Sequence, residues 1–138
     1  MKSTAILIPA RYGSTRYPGK PLAMLDGVPM IKRVYDACVA SKIPTYVLTD
    51  DMRIFELFNS RNCWIDETPY ENGTERCAGA IKNDFFSAYD QFINVQGDMP
   101  DVTLEMIEKT EWHLQHYHVT TMRTTMPEEK QNDPHTVK

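Results

Sequence analysis

The order of segments along this 138-residue chain predicts an α/β fold, a mostly parallel sheet with helices on both faces. Short apolar runs alternate with segments of helical periodicity, and most runs end in a polar or glycine-containing turn. At 41% hydrophobic the chain is also long enough to bury roughly two-thirds of its unfolded surface. Strand, helix, strand order calls for crossover connections, which place helices against the sheet. One domain covering residues 1–138 follows from the length. No internal repeat or low-complexity segment interrupts it.

The first strand is expected at residues 4–8. Ile31, Val34, Tyr35, Cys38 and Val39 fall at i, i+3, i+4, i+7 and i+8, one face of a helix starting near Pro29. Residues 45–49 form a short apolar strand, after which Asp50 and Asp51 can cap a helix through Ile54, Phe55 and Phe58. Residues 63–65 suit a third strand, followed by a polar loop and a helix over 74–83 that Thr74 can cap. Residues 92–95 make another strand. A helix over 103–115 is expected to turn Leu104, Ile107 and Leu114 inward, and 119–124 to form a last strand. Trp64 and Trp112 read as packing residues, and the dispersed methionines as core fillers. His113, His116 and His118 straddle a helix end without an i, i+4 pair, so a polar helix tip explains them better than a metal site.

Composition narrows the partners. A formal net charge of −4 and a pI near 5.5 give no electrostatic reason to expect nucleic acid or an anionic membrane. The N-terminal apolar run is too short for a signal peptide and is broken by Pro9, and nothing reaches membrane-spanning length. A cytoplasmic location is therefore expected. Cys38, Cys63 and Cys77 are odd in number and unclustered, which favours reduced structural thiols.

Three polar clusters emerge at the carboxyl ends of the expected strands, where ligands bind in sheets of this kind. The first is residues 8–22, Ile-Pro-Ala-Arg-Tyr-Gly-Ser-Thr-Arg-Tyr-Pro-Gly-Lys-Pro-Leu. A polyphosphate needs several donors at short range, some of them backbone N–H groups that only a glycine turn brings close, and fixed positive charge. Gly13 and Gly19 permit the turn, Ser14 and Thr15 add hydroxyls, and Arg11, Arg16 and Lys20 add charge. No acidic residue occurs before Asp26, so the segment is basic inside an acidic chain. An ordinary strand-to-helix loop with solvated cations is the alternative; the segment is neither the Walker pattern nor G-x-G-x-x-G.

The second cluster is Thr49, Asp50 and Asp51, and the third is Gln96, Gly97 and Asp98. A carboxylate directly after a buried strand, with Gly97 allowing close backbone approach, is placed to hold Mg²⁺, a hard cation often shared with substrate phosphates. The alternative for Asp98 is a helix cap, for which Asp101 and Thr103 are better placed. A further segment, Asn72-Gly73-Thr74-Glu75-Arg76, reads either as a turn with a helix start or as a glycine turn that reads a nucleobase edge, with Arg76 meeting an anionic substrate.

Taken together, these segments resemble the cytidylyltransferases that make CMP-activated acidic sugars, most closely the CMP-Kdo synthetase family (3-deoxy-manno-octulosonate cytidylyltransferases). The resemblance rests on residues 8–22, 27–30 (GVPM), 49–51 (TDD), 72–76 (NGTER), 94–100 (NVQGDMP) and 132–138 (NDPHTVK). It implies a Rossmann-like, three-layer fold of the nucleotide-diphospho-sugar transferase type. It also implies transfer of CMP from CTP to an acidic sugar, Kdo above all, with Mg²⁺ and release of pyrophosphate, in lipopolysaccharide or surface polysaccharide precursor synthesis.

Residue by residue, the resemblance places Arg11 and Lys20 on the β and γ phosphates. Ala10, Gly13, Ser14, Thr15 and Arg16 complete the nucleotide cradle, Gly73 and Thr74 contact cytosine, and Gln96 orients sugar or ribose. Arg76 faces the sugar carboxylate and Asp98 holds Mg²⁺. Tyr17, Met99 and Cys77 depart from the family's usual leucine, glutamate and aliphatic residue. Relatives continue past the point where this sequence stops, so the chain corresponds to an N-terminal nucleotide-binding half. It lacks the family's C-terminal sugar-binding and dimerisation part, and self-association as a homodimer or larger species is expected. Two other readings stay open: a non-catalytic module that binds CTP or CMP, and a nucleotidyltransferase with a different small acceptor.

Overall fold

β1, Thr4–Ala10, is buried along its whole length, which places it at the centre of a sheet rather than at an edge. The computed structural model describes residues 3–13, 19–97, 99 and 101–116. The elements after β1 are a 3-10 turn (Lys20–Leu22), β2 (Met24–Leu25), β3 (Val28–Pro29), α1 (Met30–Val39), β4 (Thr45–Thr49) and α2 (Met52–Phe55). β5 (Cys63–Ile65), α3 (Gly73–Ile81), a second 3-10 turn (Asp84–Ala88), β6 (Gln91–Asn94) and α4 (Leu104–His116) complete the order. β5, β4, β1 and β6 lie side by side in that order, every pair parallel.

The strands alternate their side chains between two cores, as a period of two requires. Ile6, Ile8 and Ala10 of β1 join Val47, Ile93 and Val95 under α1, α2 and α4, which contribute Ile31, Val34, Cys38, Ile54 and Ile107. Ala5 and Leu7 face the opposite side with Tyr46 and Leu48, covered by Cys77 of α3 and by Phe86. Each fully buried aliphatic or aromatic side chain contributes about 1.5–3 kcal/mol. The face change of α3 follows from the strand order. The chain steps outward from β1 to β4 to β5, then doubles back across both to β6, and a right-handed crossover that reverses direction must pass over the other face. The reversal leaves a crevice beyond the carboxyl ends of β1 and β6.

Expected and observed elements agree in kind, with informative differences. β1 runs two residues further than expected, through Pro9 and Ala10, and α2 stops at Phe55, short of Phe58. Val39 is largely exposed, so the buried stripe of α1 is Met30, Ile31, Val34 and Cys38. Leu104 is also exposed: the packed stripe of α4 passes through Met106, Ile107 and Thr110, leaving Leu104 at its margin in the opening turn. Trp112 is exposed beside His113, whereas Trp64 packs on the Phe86 cluster as expected. Asn72, not Thr74, caps α3, its side chain accepting from Glu75 N–H at 2.9 Å. The β2–β3 hairpin is not among the expected elements; Asp26 and Gly27 both take positive φ, 53° and 82°, in its two-residue turn. The strand expected over 119–124 lies outside the described residues, as do the inward placement of Leu114 and the surroundings of His116 and His118.

Candidate active site

The crevice beyond β1 and β6 is a hollow of about 230 Å³. Pro9, Ala10, Arg11 and Gly13 enter it from the end of β1. Lys20 and Pro21 enter from the 3-10 turn, Gln96 and Gly97 from the end of β6, and Tyr70, Asn72, Gly73 and Arg76 from the approach and opening turn of α3. Three of these are cations, and none of the lining residues described is acidic. Together with the amino end of α3, whose dipole adds partial positive charge, these side chains make the hollow electropositive.

Two glycines set its shape. Gly97 lies against the backbone of β1, where a Cβ would come within 3.0 Å of the Pro9 carbonyl oxygen and 3.2 Å of Ala10 Cβ. Gly73 is equally constrained: a Cβ there would lie 2.8 Å from Pro9 Cγ and 3.1 Å from Gln96 Oε1. The Gln96 amide is turned by a 3.3 Å bond from its nitrogen to Asn94 Oδ1, which presents Oε1 toward Gly73. The close backbone approach expected of Gly97 is thus present, and Gly73 is brought beside Gln96.

Arg76 is 4% exposed. Its Nη1 donates to the Asp66 carbonyl oxygen at 2.9 Å, Nη2 stands 3.9 Å from Asp50 Oδ2, and the guanidinium lies 5.1 Å from the Tyr70 ring centroid. It reaches the wall of the hollow as a tethered cation. The Asp66 carboxylate below accepts from Thr68 N–H at 3.0 Å and Tyr70 O–H at 2.9 Å, which holds its pKa below the ordinary carboxylate value, the Thr68 bonds first.

Ala10, Arg11, Gly13, Lys20, Gly73, Arg76 and Gln96, all expected at the site from sequence, therefore share one hollow. Thr74 is exposed on the opening turn of α3 and does not line it. Ser14, Thr15, Arg16 and Asp98 lie outside the described residues. Tyr70, Asn72, Pro9 and Pro21 line the site although the sequence did not point to them as ligand contacts; Asn72 was legible only as part of the turn before α3. Asp50 is also reassigned. It does not cap α2, a role taken by Asp51, which accepts from Arg53 N–H at 2.8 Å; Asp50 Oδ1 accepts instead from Tyr12 N–H at 3.0 Å. Among the described residues no three His, Cys, Asp or Glu side chains cluster closely enough to hold a metal.

The sequence profile of the cytidylyltransferases matches residues 5–137. The chain belongs to the cytidylyltransferase family. Among the relatives of this chain, 3-deoxy-manno-octulosonate cytidylyltransferase of Pseudoalteromonas atlantica is 37% identical over 123 residues, covering 86% of this chain and 48% of the relative. The 8-amino-3,8-dideoxy-manno-octulosonate cytidylyltransferase of Shewanella loihica is 39% identical over 146 residues, covering 99% of this chain and 59% of the relative. Among solved structures, CMP:2-keto-3-deoxy-manno-octonic acid synthetase complexed with CTP superposes with a TM-score of 0.73 at 32% identity, over 83% of this chain and 48% of that one. A cytidylyltransferase from Leptospira borgpetersenii, at 21% identity and a TM-score of 0.69, shares the fold. The chain spans about half the length of the curated relatives it matches. No helix among the described residues is long and apolar enough to cross a membrane.

Proposed function

We propose that the hollow binds CTP and serves transfer of its cytidylyl group to an acidic sugar of the 3-deoxy-octulosonate class, with release of pyrophosphate. The observation that carries this reading is the meeting of Arg11, Lys20 and Arg76 with Gly73 and Gln96 in one crevice whose described lining holds no carboxylate. A triphosphate fits the cationic end, near Arg11, Gly13 and Lys20. The glycine-backed end, where Gln96 Oε1 faces Gly73, suits the edge of a base or ribose. In-line displacement at the α phosphorus builds negative charge on the departing pyrophosphate, and fixed cations stabilise that charge. The chain's contribution is positioning and neutralisation, and no side-chain nucleophile is required.

Mg²⁺ belongs to the same proposal. In sequence Asp98 directly follows Gly97, which lines the hollow, and its carboxylate has the hard oxygen chemistry that suits an ion shared with substrate phosphates. When bound, the ion would supply further charge neutralisation. Relatives that act on 3-deoxy-manno-octulosonate and on its 8-amino counterpart are similar to this chain at 37% and 39% identity, so both sugars are acceptor candidates. Work in the cytoplasm on surface polysaccharide precursors, and association of two or more copies, are parts of the same reading; light scattering tests the last.

The test is pyrophosphate release when the purified chain is mixed with Mg²⁺, CTP and either sugar. Release that needs both CTP and sugar supports the reading. CTP binding without release reduces it to nucleotide binding, and release with ATP or GTP in place of CTP contradicts the base assignment.

A further inference from the structure

We infer that the acidic turn after β4 fastens the cationic loop at the hollow, with Asp50 as a positioning residue acting through Tyr12. Arg11 and Gly13 line the hollow, while Tyr12 between them turns away and packs on the main core. Tyr12 is held at several points. Its N–H donates to Asp50 Oδ1 at 3.0 Å, and its carbonyl accepts from Gly19 N–H at 2.7 Å. Its ring lies 3.5 Å from the Arg53 guanidinium, and Gly19 approaches the same ring so closely that a Cβ would lie 3.0 Å from a ring carbon. Arg53 is itself gripped by Asp51 through two bonds, of 2.9 and 2.8 Å.

The chemistry explains why such a fastener is useful. A glycine-containing segment loses much conformational freedom when it is ordered, and its cations repel one another. If Tyr12 is fixed on folding, Arg11 and Gly13 on either side, and Lys20 next to Gly19, stand ready before a ligand arrives, and binding does not bear the ordering cost. Asp50 and Asp51 are thus absorbed in holding the loop. The consequence for nucleotide affinity rests on the CTP reading given above; the fastening itself does not.

The experiment compares the whole 138-residue chain as wild type, Asp50→Ala and Asp50→Asn. Amide hydrogen exchange without nucleotide is expected to quicken roughly tenfold or more at Tyr12 and Gly19 in Asp50→Ala, while the amides of β1 and β4 keep their protection. Asp50→Asn, whose amide oxygen still accepts from Tyr12, stays near wild type. Titration with CTP is expected to follow the same order, with Asp50→Ala weaker by roughly tenfold and Asp50→Asn close to wild type. Unchanged exchange at Tyr12 and Gly19 in Asp50→Ala overturns the inference. So does an equal loss of CTP affinity in both variants, which would place the effect in the charge opposite Arg76. A wild type that binds no CTP, with Tyr12 and Gly19 still loosened in Asp50→Ala, sinks the nucleotide reading and leaves the fastening standing. If Asp50→Ala fails to fold, Arg53→Ala removes the cover of the Tyr12 ring from an exposed position, with faster exchange at Tyr12 and Gly19 again expected and unchanged exchange contradicting it.

Discussion

The Arg76 guanidinium and the Asp66 carbonyl oxygen, 2.9 Å apart, tie the first turn of α3 to the segment leaving β5. The bond comes from a residue only 4% exposed, and Asp66 N–H in turn donates to the Thr49 carbonyl oxygen at 2.8 Å. Arg76 therefore links the α3 face of the sheet to the ends of β4 and β5, besides reaching the hollow.

Replacing Arg76 should cost stability before it costs binding. Arg76→Ala leaves the Asp66 carbonyl without its guanidinium donor, a loss of about 1–3 kcal/mol. Arg76→Lys keeps the charge but not the planar fork, and should recover only part of it. Urea melts of the two variants beside wild type check this. If Arg76→Ala melts like wild type, the tether is energetically idle.

The glycines around the hollow should separate by what a methyl group meets. Gly97→Ala drives it against the Pro9 backbone in the middle of the sheet, and Gly73→Ala against Pro9 and Gln96. Each should cost about 1–3 kcal/mol of stability, with Gly73→Ala also weakening CTP binding because it narrows the glycine-backed end. Among the described residues a methyl group on Gly13 would meet nothing within 4 Å, so Gly13→Ala should fold as well as wild type. Thermal melts and a CTP titration of all three distinguish the cases.

Much of this arrangement was legible in the sequence, and its gaps have physical causes. Alternation in β1 and β4 and the helical spacing of Ile31, Val34 and Cys38 are strong signals because burial on one face demands them. Arg11, Lys20 and Gln96 could be grouped because parallel strands deliver their carboxyl ends to one side, whereas Gly73, at the start of α3, joined them only through the family resemblance. The Asp26-Gly27 turn carried a hairpin signal that the short flanking strands obscured. Nothing local told Asp50 from Asp51: both precede a helix, and only the parallel pairing of β4 with β1, which brings Thr49 level with Ala10, puts Asp50 beneath Tyr12. Leu104 and Trp112 show the converse, apolar residues at helical spacing whose exposure depends on where the packed stripe ends.

The three cysteines are buried and unpaired, and burial pushes each thiol up from 9.0 to about 12. Because the folded pKa lies above the unfolded one, the neutral thiols contribute stability that is fully present below about pH 9 and is lost as the pH rises toward about 12. The unfolded chain gives up those protons first. Denaturation midpoints should fall between pH about 8 and about 10.5, and a thiol reagent should label the native chain slowly but the unfolded chain at all three positions. Rapid labelling of the native chain would show that the cores open readily.

The most direct test of the hollow as a nucleotide site is a calorimetric titration of CTP in the presence of Mg²⁺, on wild type and Lys20→Ala. Lys20 lines the hollow beside Arg11, and loss of a charge-assisted contact to phosphate is worth about 1.5–3 kcal/mol, or about ten- to a hundredfold in affinity. The predicted result is saturable CTP binding by the wild type, weakened by that factor in a Lys20→Ala variant that remains folded. Equal CTP affinity in the two proteins, or no binding by a folded wild type, would contradict the assignment.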